Sequence, residues 1–169
     1  MTTSEHDWER RIEALWASFD EHEPDGFLRR AEVLAAERPV GDAAALFELA
    51  SAHDATDHEE EAAALYRRAL AAGLPAGRRR RAVVQLASTL RNLGRAGESV
   101  ALLTADREAA SDELDDAVVA FLALALADTG REREGLALTL AALAPHLPEY
   151  GRSLTHYARS LTEDPAAPR

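Results

Sequence analysis

Apolar residues recur along the chain three and four positions apart, in successive helical stripes separated by turn residues. Trp8, Ile12, Leu15, Trp16 and Phe19 form the first stripe. Phe27, Ala31, Leu34 and Ala35 form a second, after Pro24, Asp25 and Gly26 break the chain. Leu46, Leu49, Ala50 and His53 share one face of a third helix, and Ala62, Tyr66, Ala69 and Leu70 line a fourth, which Gly73 stops and Pro75 keeps from resuming. Near the end, Tyr150, Leu154, Tyr157 and Leu161 make one more amphipathic helix. The pattern predicts an all-α protein built from paired helices.

The pairs repeat. Leu49-Ala50, Leu86-Ala87 and Leu122-Ala123 stand 37 and 36 residues apart, and three further features keep that step. Asp57, Gly94 and Gly130 supply turns; Glu61, Glu98 and Glu134 follow on the next helix; Ala62, Ser99 and Gly135 come next as small residues. Each unit reads as helix, tight turn, helix, with Asp57 as turn and cap residue and Glu60 three positions on as its capping-box partner. Small residues at recurring points let paired helices approach closely. Stacked repeats leave end surfaces that need covering, so residues 1–38 read as N-terminal capping helices, 43–148 as three repeats and 149–162 as a C-terminal capping helix. Residues 1–162 are expected to form a single domain and 163–169, with Pro165 and Pro168, a loose tail.

Leu46-x2-Leu49-Ala50-x2-His53, then Ala62-x3-Tyr66-x2-Ala69 and Pro75, resembles the tetratricopeptide repeat. Val83, Leu86, Ala87 and Leu90 with Gly94, Glu98, Ser99 and Leu103 match as a second unit; Val119, Leu122, Ala123 and Leu126 with Gly130, Glu134, Gly135 and Ala142 match as a third. Stretches at 47–50, 80–82, 85–94, 130–134 and 147–153 are similar to a small bacterial tetratricopeptide family of unknown function. The resemblance implies an α-solenoid of about three repeats that binds protein partners.

Composition agrees with the helices and narrows the function. Of 169 residues, 37 are Ala, 24 Leu, 19 Arg and 18 Glu, all strong helix formers, whereas Val and Ile together number 8, too few for a sheet core. A hydrophobic content of 47% suffices for a real core. The net charge of −11 repels phosphate backbones and anionic lipid, so neither nucleic acid nor membrane is expected as a partner. Every cation apart from histidine is Arg, a bias that a G- and C-rich genome explains. Cys is absent, which removes disulfides, thiolate nucleophiles and Cys-ligated metals. The longest apolar run, at 117–127, is too short to cross a bilayer, and residues 1–11 are polar and acidic, unlike a secretory leader. A soluble cytoplasmic protein is the expectation.

No Gly-rich phosphate loop, nucleophile elbow or HExxH helix is present, so the reading is non-enzymatic, with no cofactor and no metal. In a helix-pair solenoid the first helix of each repeat lines the concave groove. Its inner stripe would carry Phe47, Ser51 and Asp54 in the first repeat, Arg81, Gln85, Ser88, Arg91 and Asn92 in the second, and Phe121 and Asp128 in the third. The middle stripe is unusually polar. It suits a peptide or partner helix, with Arg81 and Arg91 contacting carboxylate or carbonyl groups and Gln85, Ser88 and Asn92 bonding a backbone. The alternative is a small helical ligand sensor or enzyme using the run Arg78, Arg79, Arg80 and Arg81, or the cluster His53, Asp57 and His58. Four cations at a helix start oppose the macrodipole, and pairing with acids such as Glu59, Glu60 and Glu61 is the plainer account of them. Homodimerisation through the Trp8 and Trp16 helix is a further possibility.

Overall fold

The computed structural model describes residues 3–163, with side chains from Glu5 onward. The expected tail therefore lies, apart from Glu163, outside the described residues. Among the described residues nine α-helices follow one another: α1 (Thr3–Ala17), α2 (Pro24–Ala36), α3 (Ala43–Asp54), α4 (Glu59–Ala72), α5 (Ala76–Asn92), α6 (Ala96–Ala109), α7 (Asp115–Asp128), α8 (Glu132–Leu143) and α9 (Gly151–Ser160). Short 3-10 turns occur at Phe19–Glu21 and Ala144–His146, and no strand occurs among the described residues. The chain divides into two compact units between Thr89 and Leu90, a point inside α5.

In the first unit the N-terminal hairpin is nailed together by aromatic rings. Phe27 is fully buried, with the Trp16 ring 4.9 Å away and the Phe19 ring meeting it edge-on at 4.7 Å. Burying such a side chain contributes about 2 to 3 kcal/mol, and ring pairs of this geometry add to it. Trp8 is 2% exposed beside Ile12 and Ala45, and its indole N–H donates to the Leu34 carbonyl at 2.8 Å. The expected break at Pro24, Asp25 and Gly26 falls earlier, around the turn at Phe19–Glu21, because Pro24 opens α2 instead of ending α1. Its fixed φ and missing N–H suit the first position of a helix. Asp42 caps α3 by accepting the Ala45 N–H at 2.9 Å. Burial pushes its carboxyl up, but that bond and the Arg38 guanidinium outweigh it and hold the pKa below the ordinary value.

The turns in the repeat register share one geometry. Asp57, Gly94 and Gly130 all have positive φ, at 61°, 73° and 76°. In each case the following N–H reaches back five residues: His58 to His53 at 2.9 Å, Arg95 to Leu90 at 2.8 Å and Arg131 to Leu126 at 2.9 Å. This is the Schellman closure, which needs a left-handed residue at its apex. Asp57 is thus the turn residue, but not the cap: position 58 precedes α4, with no side-chain cap bond. Arg95 and Arg131, the residues after the two glycine apices, each bind the Glu three positions on through two nitrogens, Arg95 to Glu98 and Arg131 to Glu134.

In the second unit α7 packs against both α6 and α8, and α9 against α8. Leu103, Val118, Leu122, Ala125 and Leu126 are at most 2% exposed. Gly135 explains its own smallness, since a Cβ there would stand 2.8 Å from the Ala123 carbonyl oxygen. The tyrosines expected on the inner stripe of the last helix face the other way. Tyr150 is 77% and Tyr157 63% exposed, while Ala158 is buried. Where α9 begins, Gly151 lies so close to the preceding turn that a Cβ there would stand 2.6 Å from the Ala144 carbonyl oxygen. Among the described residues no helix is long and apolar enough to cross a membrane.

Candidate functional site

The first unit holds a cleft of about 480 Å³ walled by α1, α3 and α5. Its chemistry starts from an unfavourable local choice, the cation Arg78 in the first turn of α5, where the helix dipole repels it. Two carboxylates offset that cost. The Arg78 guanidinium donates to both oxygens of Glu9, at 3.0 and 2.6 Å, and stands 3.4 Å from Glu48. It also lies over the Phe47 ring, 5.9 Å from its centre, and the Glu9 bonds raise its pKa further. These partners come from α1 and α3, not from Glu59, Glu60 and Glu61. Arg80 is 1% exposed, Arg79 and Arg81 are exposed, and Arg81 lines the cleft. The four arginines therefore do not form one patch.

Much of the first repeat's expected groove stripe is buried. Phe47 is 6%, Glu48 8% and Ser51 7% exposed. Glu48 accepts the Trp16 indole N–H at 2.9 Å. Burial pushes its carboxyl above the usual range, against the pull of Trp16 and Arg78. Ser51 donates to the Phe47 carbonyl at 3.0 Å and accepts from the Tyr66 hydroxyl at 3.3 Å; the same hydroxyl reaches Asp54 at 3.4 Å. Asp54 also accepts from Thr89 at 2.9 Å. Burial raises the Asp54 carboxyl and lifts the Tyr66 phenol far above its ordinary value. Phe47, Ser51 and Asp54 are thus bound into the unit, because residues of α4 and α5 supply their partners.

Gln85 differs. It lines the cleft, and its Oε1 is enclosed with no hydrogen-bond partner. Ser88, one turn on, is half-buried. In the second unit, Arg91 is ion-paired with Asp128, Asn92 is exposed and Phe121 half-buried. Arg91 and Asp128 therefore satisfy one another.

His53 and His58 meet edge to face at 5.7 Å, and His58 shares a 3.0 Å hydrogen bond with the Thr56 hydroxyl. Burial, with the neighbouring His58, lowers the His53 pKa. Asp57 is taken by the turn, and among the described residues no group of three or more His, Cys, Asp or Glu is placed to hold a metal ion. Trp8, considered for a dimer surface, belongs to the core.

Sequence reading missed Glu9, Glu13 and Trp16 as cleft residues, since α1 looked like a cap alone. Their spacing of four and three was visible as a stripe beside Trp8 and Ile12, but nothing in it pointed to Arg78, 69 residues from Glu9.

No curated protein and no solved structure matches the chain. A family model described as tetratrico peptide repeat matches residues 43–161, the stretch that carries the three Schellman turns and the paired helices around them. The chain therefore belongs to the tetratrico peptide repeat family, a family of protein–protein interaction modules.

Proposed function

We propose that the protein is a non-catalytic module that holds a peptide or partner helix against the cleft of its first unit. The observation that carries this reading is the enclosed, unpartnered Oε1 of Gln85 beside the exposed guanidinium of Arg81. An enclosed acceptor without a donor costs about 1 to 3 kcal/mol, which the Gln85 amide recovers by turning toward a ligand N–H in the cleft. A backbone peptide group fits both residues, giving its N–H to Gln85 and its C=O to Arg81. Ile12 and Trp16 offer apolar surface for an adjoining side chain. Ser88 continues the polar line along α5, whereas Arg91 serves the second unit through Asp128.

Affinity capture from the native host, followed by mass spectrometry, tests this. A partner held by the wild type is expected to be lost from the variant Arg81→Glu with Gln85→Ala at unchanged helicity. Full retention of every captured protein by that variant would overturn the assignment.

A further inference from the structure

The first unit carries a second, larger groove, of about 750 Å³, which shares no residue with the cleft of Arg81 and Gln85. Its floor is apolar, from Ala14 and Leu15 of α1 and Val33 and Leu34 of α2. Its charges are Arg11, Arg29 and Arg30 against a single carboxylate, Glu37. Glu37 is fully engaged, taking both terminal nitrogens of Arg11 in a two-pronged pair. That leaves Arg29 and Arg30, which are exposed and make neither a hydrogen bond nor an ion pair among the described residues. An excess of two positive charges thus lines one groove of a chain whose net charge is −11.

The apolar part is as unusual as the charge. Val33 is 64% exposed, and it stands four residues after Arg29 and three after Arg30, on the same face of α2. An exposed β-branched residue between two unpaired guanidiniums and an ion pair has the make-up of a contact surface, apolar at the centre and charged at the rim.

We propose that this hairpin groove docks an acidic amphipathic helix of a partner protein. Carboxylates one turn apart on that helix meet Arg29 and Arg30, each able to bind a carboxylate with two parallel hydrogen bonds, while an apolar side chain covers Val33 and Leu34. A small anion would leave the apolar floor bare. A polyphosphate strand would find no aromatic platform there and would meet the chain's overall negative charge.

The test uses the full chain and a fluorescein-labelled synthetic helix of about 16 residues, with Glu pairs four apart flanking Leu, against the same peptide with Gln for Glu. Fluorescence anisotropy is expected to show binding of the acidic peptide, weakening with salt, and at least about tenfold weaker binding of the Gln peptide. Arg29→Ser with Arg30→Ser, and separately Val33→Ser, should each weaken the acidic peptide about tenfold. Arg81→Ser, in the other cleft, should leave it unchanged, which separates this proposal from the preceding one. No binding at about 1 mM peptide, equal binding of the Gln peptide, or a loss caused by Arg81→Ser alone would each overturn it. So would a doubled mass in light scattering that Arg29→Ser abolishes, since a second copy would then be the occupant.

Discussion

The first helices of the first and third repeats, α3 and α7, occupy the same register and fill it with opposite chemistry. Glu48 and Ser51 in α3 correspond, at steps of 37 and 36, to Phe121 and Leu124 in α7. The polar pair is buried, tied to Trp16, Arg78 and Tyr66, while Leu124 is 47% exposed and Phe121 half-buried. The usual expectation of apolar inside and polar outside is reversed at these positions. The reason lies in what each helix meets: α1 and α5 bring an indole N–H and a guanidinium to α3, and a buried carboxylate or hydroxyl is tolerable only where such donors wait. A repeat register therefore fixes where a side chain points without fixing whether that place is core or surface.

The contrast can be broken first at the small-residue position that follows each turn. Gly135→Leu should destabilise the second unit by about 3 kcal/mol in urea titrations, since backbone at the Ala123 carbonyl would have to move. In the first repeat the equivalent Ala62 already carries a Cβ, and Ala62→Gly should cost only about 1 kcal/mol, the propensity loss of a helix interior. Equal losses at the two positions would mean that the helix pairs approach alike.

Glu48→Ala should cost about 2 kcal/mol by the same measurement, because the Trp16 N–H and the Arg78 guanidinium lose an enclosed acceptor. Glu48→Gln keeps an oxygen for Trp16 and should retain most of the stability. A loss as large as that of the Ala variant would show that charge, not the hydrogen bond, matters there.

The turns separate the repeats at a finer scale. Asp57→Gly should raise the thermal midpoint, by up to about 1 kcal/mol of stability, because a side chain leaves the left-handed region. Gly94→Ala and Gly130→Ala should each lower it by about 1 kcal/mol for the converse reason. A gain at Asp57 matched by no loss at the glycines would contradict the shared Schellman geometry.

The smallest expected effect is on pH dependence. The folded-state pKa of Glu48 lies above its unfolded value, so between the two the native state binds the extra proton. That difference favours folding as pH falls from neutrality through the raised pKa toward the ordinary carboxylate value. The stability of the wild type relative to Glu48→Gln should therefore rise as pH falls from neutrality toward the ordinary carboxylate range, as measured by denaturation at each pH. A relative fall would reverse the assigned burial cost.

Much of the fold was legible because it rests on local signals. The Leu-Ala recurrence located the repeats, and Asp57, Gly94 and Gly130 marked turns whose geometry depends on a single residue's φ. Candidate site residues were harder. Phe47, Ser51 and Asp54 were read as groove positions from their helical phase, yet their partners Arg78, Tyr66 and Thr89 sit on other helices. Arg91 looked free until Asp128, 37 residues on, paired with it. Periodicity reports the direction of a side chain and is silent on which distant chain segment lies there.

By itself the sequence determined the helices, their order, the turn positions and the repeat period, all properties of residues within one or two turns of each other. Tertiary structure decided the rest: that Trp16 and Glu9 of the N-terminal hairpin complete a cleft with Arg78, that Tyr150 and Tyr157 stay outside, and that Gln85 keeps an enclosed oxygen without a donor. Hydrogen bonds and ion pairs between helices depend on separations of a few ångströms between residues tens of positions apart, and only packing sets those distances.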